Sequence, residues 1–290
     1  MIILEGSAGN GIGSELGRLL DVEYHKAESK IFPDGESYIK LPEVEGDIVI
    51  VQSTYAPQDK HLMELMLMAD AVKPNASSIT AIVPYLAYAR QNMEFRSGEV
   101  VSAKASLRFL HKSGIDSLIT VEPHKYDIMS YFEGKSEIVE VSGLISDALK
   151  KVVNNPIILA PDKGGGYRAE KVAEKFGCDC KYVEKKRDYE TGEISVSSSL
   201  DDLSGKDVII VDDMISTGGT IAAAAKEARK SHAKSVFVAA AHLLMVGEAY
   251  SKIKNAGVDR LFGCNTIPYE KADMMDTSEL IAGKLKNILQ

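Results

Sequence analysis

The stretch VIIVDDMISTGGTI, residues 208–221, decides how the chain is read. Val208–Val211 is a short β-branched run without polar alternation, the pattern of a strand covered on both faces in a parallel α/β sheet. From Thr220 the alanine-rich TIAAAAKEARKS favours a helix, which puts Gly218, Gly219 and Thr220 at its N-terminus. Backbone N–H groups there lack intrahelical partners, and the helix dipole attracts an anion. Ser216, Thr217 and Thr220 add hydroxyl donors, and the two glycines let a bulky anion approach the main chain. The segment reads as a phosphate cradle. Asp212 and Asp213, delivered by the strand straight into that loop, would repel a phosphate beside them. They suit another part of the same ligand, either the vicinal hydroxyls of a ribose or a bound Mg²⁺. A helix cap or turn would satisfy the same local chemistry. The agreement of strand, carboxylates, hydroxyls and glycines in one block favours a sugar-phosphate site.

Working outward, the same pattern occurs twice. DGESYIKLPEVEGDIVIVQST (34–54) echoes TGEISVSSSLDDLSGKDVIIVDDM (191–214): Gly-Glu, a polar strand-like run, a glycine turn, then an apolar strand. A helical stretch (59–72) and a strand-like one (76–85) follow the first copy. The alanine-rich helix and AKSVFVAAAH (233–242) follow the second. For 290 residues this predicts two tandem α/β domains of one fold, each a mainly parallel sheet flanked by helices. The expected extents are residues 1–145 and 146–290. Only the second copy carries the acidic-hydroxyl-glycine loop, so the first must serve another purpose. The methionine-rich helix spanning residues 63–68 is apolar nearly all round and is expected to be buried.

The composition, 45% hydrophobic and 26% charged, is that of an ordinary soluble protein. A net charge of −8 argues against non-specific binding to nucleic acid or to an anionic membrane, so a phosphorylated substrate needs local basic groups. No apolar run reaches the length of a membrane span, and MIILEG is too short for a secretory signal. Cys178, Cys180 and Cys264 make neither a disulfide framework nor a zinc set, and a reducing cytoplasm is the expected compartment. GNGIG (9–13) is spaced G-x-G-x-G rather than G-x-G-x-x-G, a poor match to a dinucleotide fingerprint, and no P-loop signature occurs.

The block at 208–220 resembles the phosphoribosyl-pyrophosphate loop of type I phosphoribosyltransferases, and equally the ribose-5-phosphate loop of the ribose-phosphate pyrophosphokinase family. FPDGESYIKLP (32–42), YLAYARQ (85–91) and SAKASLRFL (102–110) are similar to the nucleotide-binding half of that second family. VEPHKYDIMSYFEG (121–134), APDKGGGYRAEKVAEKFG (160–177) and VEKKRD (183–188) resemble its histidine, aspartate and catalytic-loop segments, in family order. A transferase that needs only one such domain would leave the first half unexplained.

The resemblance implies transfer of the β,γ-diphosphoryl group of ATP to the C1 hydroxyl of ribose 5-phosphate, with Mg²⁺ as cofactor. It implies that Lys185 and Arg187 clamp the transferring group, with Arg187 also on the ribose-5-phosphate side. Phe32 would stack on adenine, Asp34 and Glu36 would read its edge, and Arg90 and Gln91 would contact ATP. His124 and Asp162 would be metal ligands. Asp212 and Asp213 would hold the ribose hydroxyls, and Ser216, Thr217, Gly218, Gly219 and Thr220 the 5-phosphate. It also implies a homodimer or higher homo-oligomer, because the Phe32 loop reaches a neighbouring subunit's site. The chain departs from the commoner pattern at Asn92, Met93 and Ser216 and in the HKYDIM segment after the proline.

Overall fold

The computed structural model describes residues 1–162, 165–183, 185–187, 194–196, 200 and 202–289, apart from the side chains of 185–187 and 194–196. The chain forms two compact units. Unit 1 comprises Met1–Glu140, Asn265–Ile267 and Asp276–Gln290; unit 2 comprises Val141–Cys264 and Pro268–Met275. The chain thus crosses from unit 2 back to unit 1 near its end, and no single cut separates the two.

Unit 1 begins with β1 (Ile2–Glu5), α1 (Ile12–Leu20), β2 (Glu23–Lys26), the hairpin strands β3 (Glu28–Ile31) and β4 (Ser37–Lys40), and β5 (Gly46–Val51). It continues with α2 (Gln58–Val72), β6 (Ala76–Val83), α3 (Ser102–Lys112), β7 (Ser117–Val121), a 3-10 turn at Tyr126–Tyr131 and β8 (Lys135–Val139). Unit 2 contains α4 (Ser142–Leu149), β9 (Pro156–Ala160), α5 (Gly166–Phe176), β10 (Cys180–Tyr182), the hairpin strands β11 (Lys185–Arg187) and β12 (Ile194–Val196), and β13 (Asp207–Ile215). Then come α6 (Gly219–Lys230), β14 (Ser235–Leu243), α7 (Ala249–Asn255), β15 (Arg260–Cys264) and β16 (Asp273–Met275). The last helix, α8 (Ser278–Leu289), returns to unit 1.

The two main sheets repeat one topology. Unit 1 has the order β2-β1-β5-β6-β7-β8 and unit 2 the order β10-β9-β13-β14-β15-β16, with every pairing parallel. An antiparallel two-stranded ribbon stands at the same point of each copy, β3–β4 in one and β11–β12 in the other. This is the physical basis of the sequence echo. The central strands are buried as their apolar runs require, Ile48–Val51 in β5 and Val208–Val211 in β13.

Two expectations are corrected. The strand does not stop before the carboxylates: β13 runs on to Ile215, and its ladder pairs Asp212 with Ala240 and Met214 with His242. Asp212 and Asp213 are therefore fixed by a sheet, not carried by a loop. The methionine-rich helix is not buried all round. α2 buries His61, Glu64, Leu65, Met68, Ala69 and Val72, whereas Met63 is 48% and Leu67 40% exposed. Residues spaced three and four apart share one helix face, and only that face lies on the core.

The Gly-rich start of unit 1 is occupied from within. Glu5, buried at the end of β1, accepts hydrogen bonds from Gly11 N (2.6 Å), Ser14 N (3.2 Å) and Tyr24 Oη (2.7 Å). A carboxylate of the chain itself thus sits where GNGIG would receive a phosphate. Segment 265–267 takes further polar groups at the strand ends: Thr266 O accepts from Ser53 Oγ (2.8 Å) and Asn10 Nδ2 (3.2 Å). No helix among the described residues is long and apolar enough to cross a membrane.

Candidate functional site

In unit 2, β9 and β13 are parallel neighbours, so the residues that leave their C-terminal ends emerge at the same sheet edge. Asp162 follows β9, and Asp212 and Asp213 lie near the end of β13. Asp213 is buried and Asp212 half-buried. Asp213 N donates to Asp212 Oδ1 (2.9 Å) and Gly165 N to Asp162 Oδ1 (3.0 Å). A Cβ placed on Gly165 would lie 3.4 Å from Asp212 Oδ1 and 3.8 Å from Asp162 Oδ1. The bare backbone of Gly165 thus passes beside both carboxylates. Burial, then the neighbouring charge of Asp213, and less strongly that of Asp162, push the Asp212 carboxyl up to about 8. Such a cluster wants a cation or hydroxyl donors and would repel phosphate.

The next residues reverse that preference. β13 ends at Ile215, Gly218 is the N-cap of α6 with φ 72°, and α6 starts at Gly219. The left-handed conformation favours glycine, and a Cβ on Gly218 would press on Ala249 O and Ile253 Cδ1, both at 3.1 Å. The loop is held from one side: Ser216 O accepts from Val246 N (3.0 Å) and Thr217 O from Lys252 Nζ (3.2 Å). In a trans peptide the N–H points opposite to the C=O. Peptides whose carbonyls turn toward Val246 and Lys252 therefore aim the Thr217 and Gly218 N–H groups the other way. Thr217 and Gly219 are exposed, and Ser216 and Thr220 half-buried. Carboxylates for hydroxyls and N–H groups for an anion follow one another along a single strand-to-helix junction.

Lys185 and Arg187 lie in β11, opposite Val196 and Ile194 of β12. Their side chains lie outside the described residues.

In unit 1, FPDGE forms the turn of the β3–β4 hairpin. Phe32 N donates to Glu36 O and Gly35 N to Phe32 O, both at 2.8 Å, with Gly35 at φ 98°. Asp34 Oδ1 accepts Glu36 N (3.2 Å), and Asp34 and Glu36 are both exposed. Phe32 is 40% exposed; it meets Tyr38 edge-on at 5.7 Å, and Lys30 Nζ lies 5.4 Å from its centroid. Arg90 is exposed and Gln91 half-buried. Half-buried His124 follows Glu122, which has φ 38° and accepts the Tyr126 hydroxyl at 2.7 Å.

His124 and Asp162, the expected metal ligands, belong to different units. No group of three or more His, Cys, Asp or Glu side chains suited to a metal ion occurs among the described residues. Asp162 and Asp212, both beside Gly165, are the kind of donor Mg²⁺ takes, one or two carboxylates with water and phosphate oxygens rather than a full protein cage. Gly165 was not singled out in the sequence. The second glycine of APDKGGG was its only signal.

Comparison with known proteins agrees with this architecture. Residues 1–114 match the model of the N-terminal domain of ribose phosphate pyrophosphokinase, and residues 129–272 that of the phosphoribosyl transferase domain. The ribose-phosphate pyrophosphokinase of Saccharolobus solfataricus is 46% identical over 97% of this chain and 99% of its own. That of Methanothermobacter thermautotrophicus is 38% identical over 99% and 100%. The crystal structure of phosphoribosylpyrophosphate synthetase from Mycobacterium smegmatis superposes with a TM-score of 0.89 at 28% identity, covering 99% of this chain and 98% of that one. The chain belongs to the ribose-phosphate pyrophosphokinase family of enzymes.

Proposed function

We propose that this chain moves the β,γ-diphosphoryl group of ATP onto the C1 hydroxyl of ribose 5-phosphate. The C1 oxygen forms a bond to Pβ, and the bond from Pβ to the oxygen bridging it to Pα breaks. AMP leaves with that oxygen, and the hydroxyl proton is released. The observation that carries this reading is the β13–α6 junction, where Asp212 and Asp213 precede the Ser216–Thr220 cradle by a few residues. A ribose 5-phosphate presents its hydroxyls and its phosphate in the same order.

In this reading Asp212 and Asp213 accept from the ribose hydroxyls, and Ser216, Thr217, Gly218, Gly219 and Thr220 hold the 5-phosphate. Phe32 stacks on adenine with Asp34 and Glu36 at its edge, and Arg90 and Gln91 bind ATP. Unit 1 is thereby the ATP side and unit 2 the ribose-5-phosphate side. Lys185 and Arg187 neutralise charge on the transferring group, which is most of what phosphoryl-type transfer asks of a protein. His124 and Asp162 would each serve as a ligand of Mg²⁺, which when bound would neutralise phosphate charge. The exposed Ile31 and Phe32 of the hairpin suit contact with a neighbouring copy, and we assign a homodimer or larger assembly in the cytoplasm.

Chromatography of nucleotides after incubation with ATP, Mg²⁺ and ribose 5-phosphate tests the reading. AMP appearing only when the sugar phosphate is present supports it. ADP as the nucleotide product, or nucleotide turnover indifferent to the sugar phosphate, overturns it.

A further inference from the structure

The loop that follows Gln91 departs from the commoner family sequence at Asn92 and Met93, and nothing above assigns it a role. Its shape is set by one carboxylate oxygen. Glu99 Oε2 accepts from Gln91 Nε2 (3.2 Å), Phe95 N (3.1 Å) and Arg96 N (3.2 Å). The Gln91 amide also donates to Met93 O (3.1 Å), and Gln91 O accepts Ala103 N (3.2 Å). Glu99 N donates to Arg96 O (3.1 Å), and Glu94 Oε1 accepts Gly98 N (2.6 Å). Residues 91–99 therefore close into a turn around Glu99, with the Gln91 carboxamide drawn in as one of the spokes.

We propose that Glu99 is a positioning residue for the nucleotide. It fixes the Gln91 side chain and the 93–96 turn, and so holds Arg90 and Gln91 in the arrangement that meets ATP. The inference rests on the reading of Arg90 and Gln91 as ATP contacts. Hydrogen bonds to a carboxylate are stronger than neutral ones and prefer a single geometry. Glu99 and its loop partners are exposed, apart from half-buried Gln91, so the same bonds contribute little to global stability. Loss of the carboxylate frees the Gln91 amide to rotate. The ordering must then be supplied by ATP at the moment of binding, which weakens affinity without touching the transferring group.

The test compares wild type, Glu99→Ala and Glu99→Gln for the KM of each substrate, for calorimetric binding of a non-hydrolysable ATP analogue, and for thermal unfolding. Expected for Glu99→Ala is a rise of about tenfold in the KM for ATP and a similar weakening of analogue binding. The KM for ribose 5-phosphate and the melting temperature stay in place. Glu99→Gln, which keeps an acceptor oxygen, recovers part of the loss. Unchanged ATP affinity in Glu99→Ala overturns the proposal while the activity stands. So does a parallel loss of both KM values with a lowered melting temperature. If the wild type binds the analogue but makes no AMP, the functional reading fails and the binding ratio still decides the role of Glu99. A wild type that binds no analogue overturns both.

Discussion

At the scale of single residues, the proposed sugar-phosphate site rests on the order Asp-Asp, then Ser-Thr-Gly-Gly-Thr, which was legible in the sequence because strand, carboxylates, hydroxyls and glycines agree in one block. Asp213→Asn, which keeps the shape and removes the charge, is expected to raise the KM for ribose 5-phosphate about tenfold and leave the KM for ATP unchanged. Gly218→Ala forces a Cβ into a left-handed backbone position and against Ala249 O. Its expected cost is about 1–2 kcal/mol of stability, read by denaturant unfolding, together with weaker ribose-5-phosphate binding. Gly165 was not legible in the same way. Its backbone lies close to Asp162 and Asp212 only because β9 and β13 pair, and no local pattern encodes that proximity.

Elements explain where the reading went astray. The end of β13 was placed too early because two adjacent aspartates look like a loop. A parallel neighbour, β14, carries the ladder through them, and tertiary pairing overrides the low strand propensity of Asp. This placement has a measurable consequence. The folded Asp212 carboxyl titrates at about 8 against an ordinary 3.8, so between those values the folded state keeps a proton that the unfolded chain has released. Without metal, stability therefore falls as pH rises across that window, and Asp212→Asn should flatten the fall in melting temperature between pH 5 and pH 8, taken as about the limits of the window.

Asp207, at the other end of the same strand, behaves oppositely. Burial alone would raise its carboxyl. The Ser235 hydroxyl, the N–H groups of Asn154 and Asn155, and Lys234 outweigh burial and hold it below the usual range. The stability it adds is present above its unfolded pKa and lost as pH falls through the lowered folded value. Asp207→Ala should cost about 3 kcal/mol at neutral pH in denaturant unfolding, because Asn154 N, Asn155 N and Ser235 Oγ lose their acceptor.

At the scale of the whole molecule, the doubling of the fold was visible as an echo in spacing, and both sheets repeat one strand order. The crossing of the chain near its end was not visible, since α8 has an ordinary amphipathic pattern that names no partner. It buries Ile281, Ala282, Leu285 and Ile288, packs on α1, β7 and β8, and ties Lys284 to Glu137 at 2.9 Å. Deleting residues 278–290 should therefore destabilise unit 1 by about 5 kcal/mol or more, and hydrogen exchange would show the loss in β1 and β8 before β13 and β14. The two copies have also diverged at corresponding strand ends: after β1, Glu5 takes the N–H groups of Gly11 and Ser14, whereas after β9 Asp162 takes that of Gly165.

Transfer of the diphosphoryl group as a unit, with Lys185 of the β11–β12 ribbon at its charge as proposed, is open to phosphorus NMR of ATP, Mg²⁺ and ribose 5-phosphate with wild type and Lys185→Ala. Expected are AMP and a new pair of coupled resonances from a diphosphate on the sugar. Their rate of appearance should be cut by about 10²–10³ in the variant. ADP with a singly phosphorylated C1, or a Lys185→Ala rate equal to wild type, would contradict the proposal.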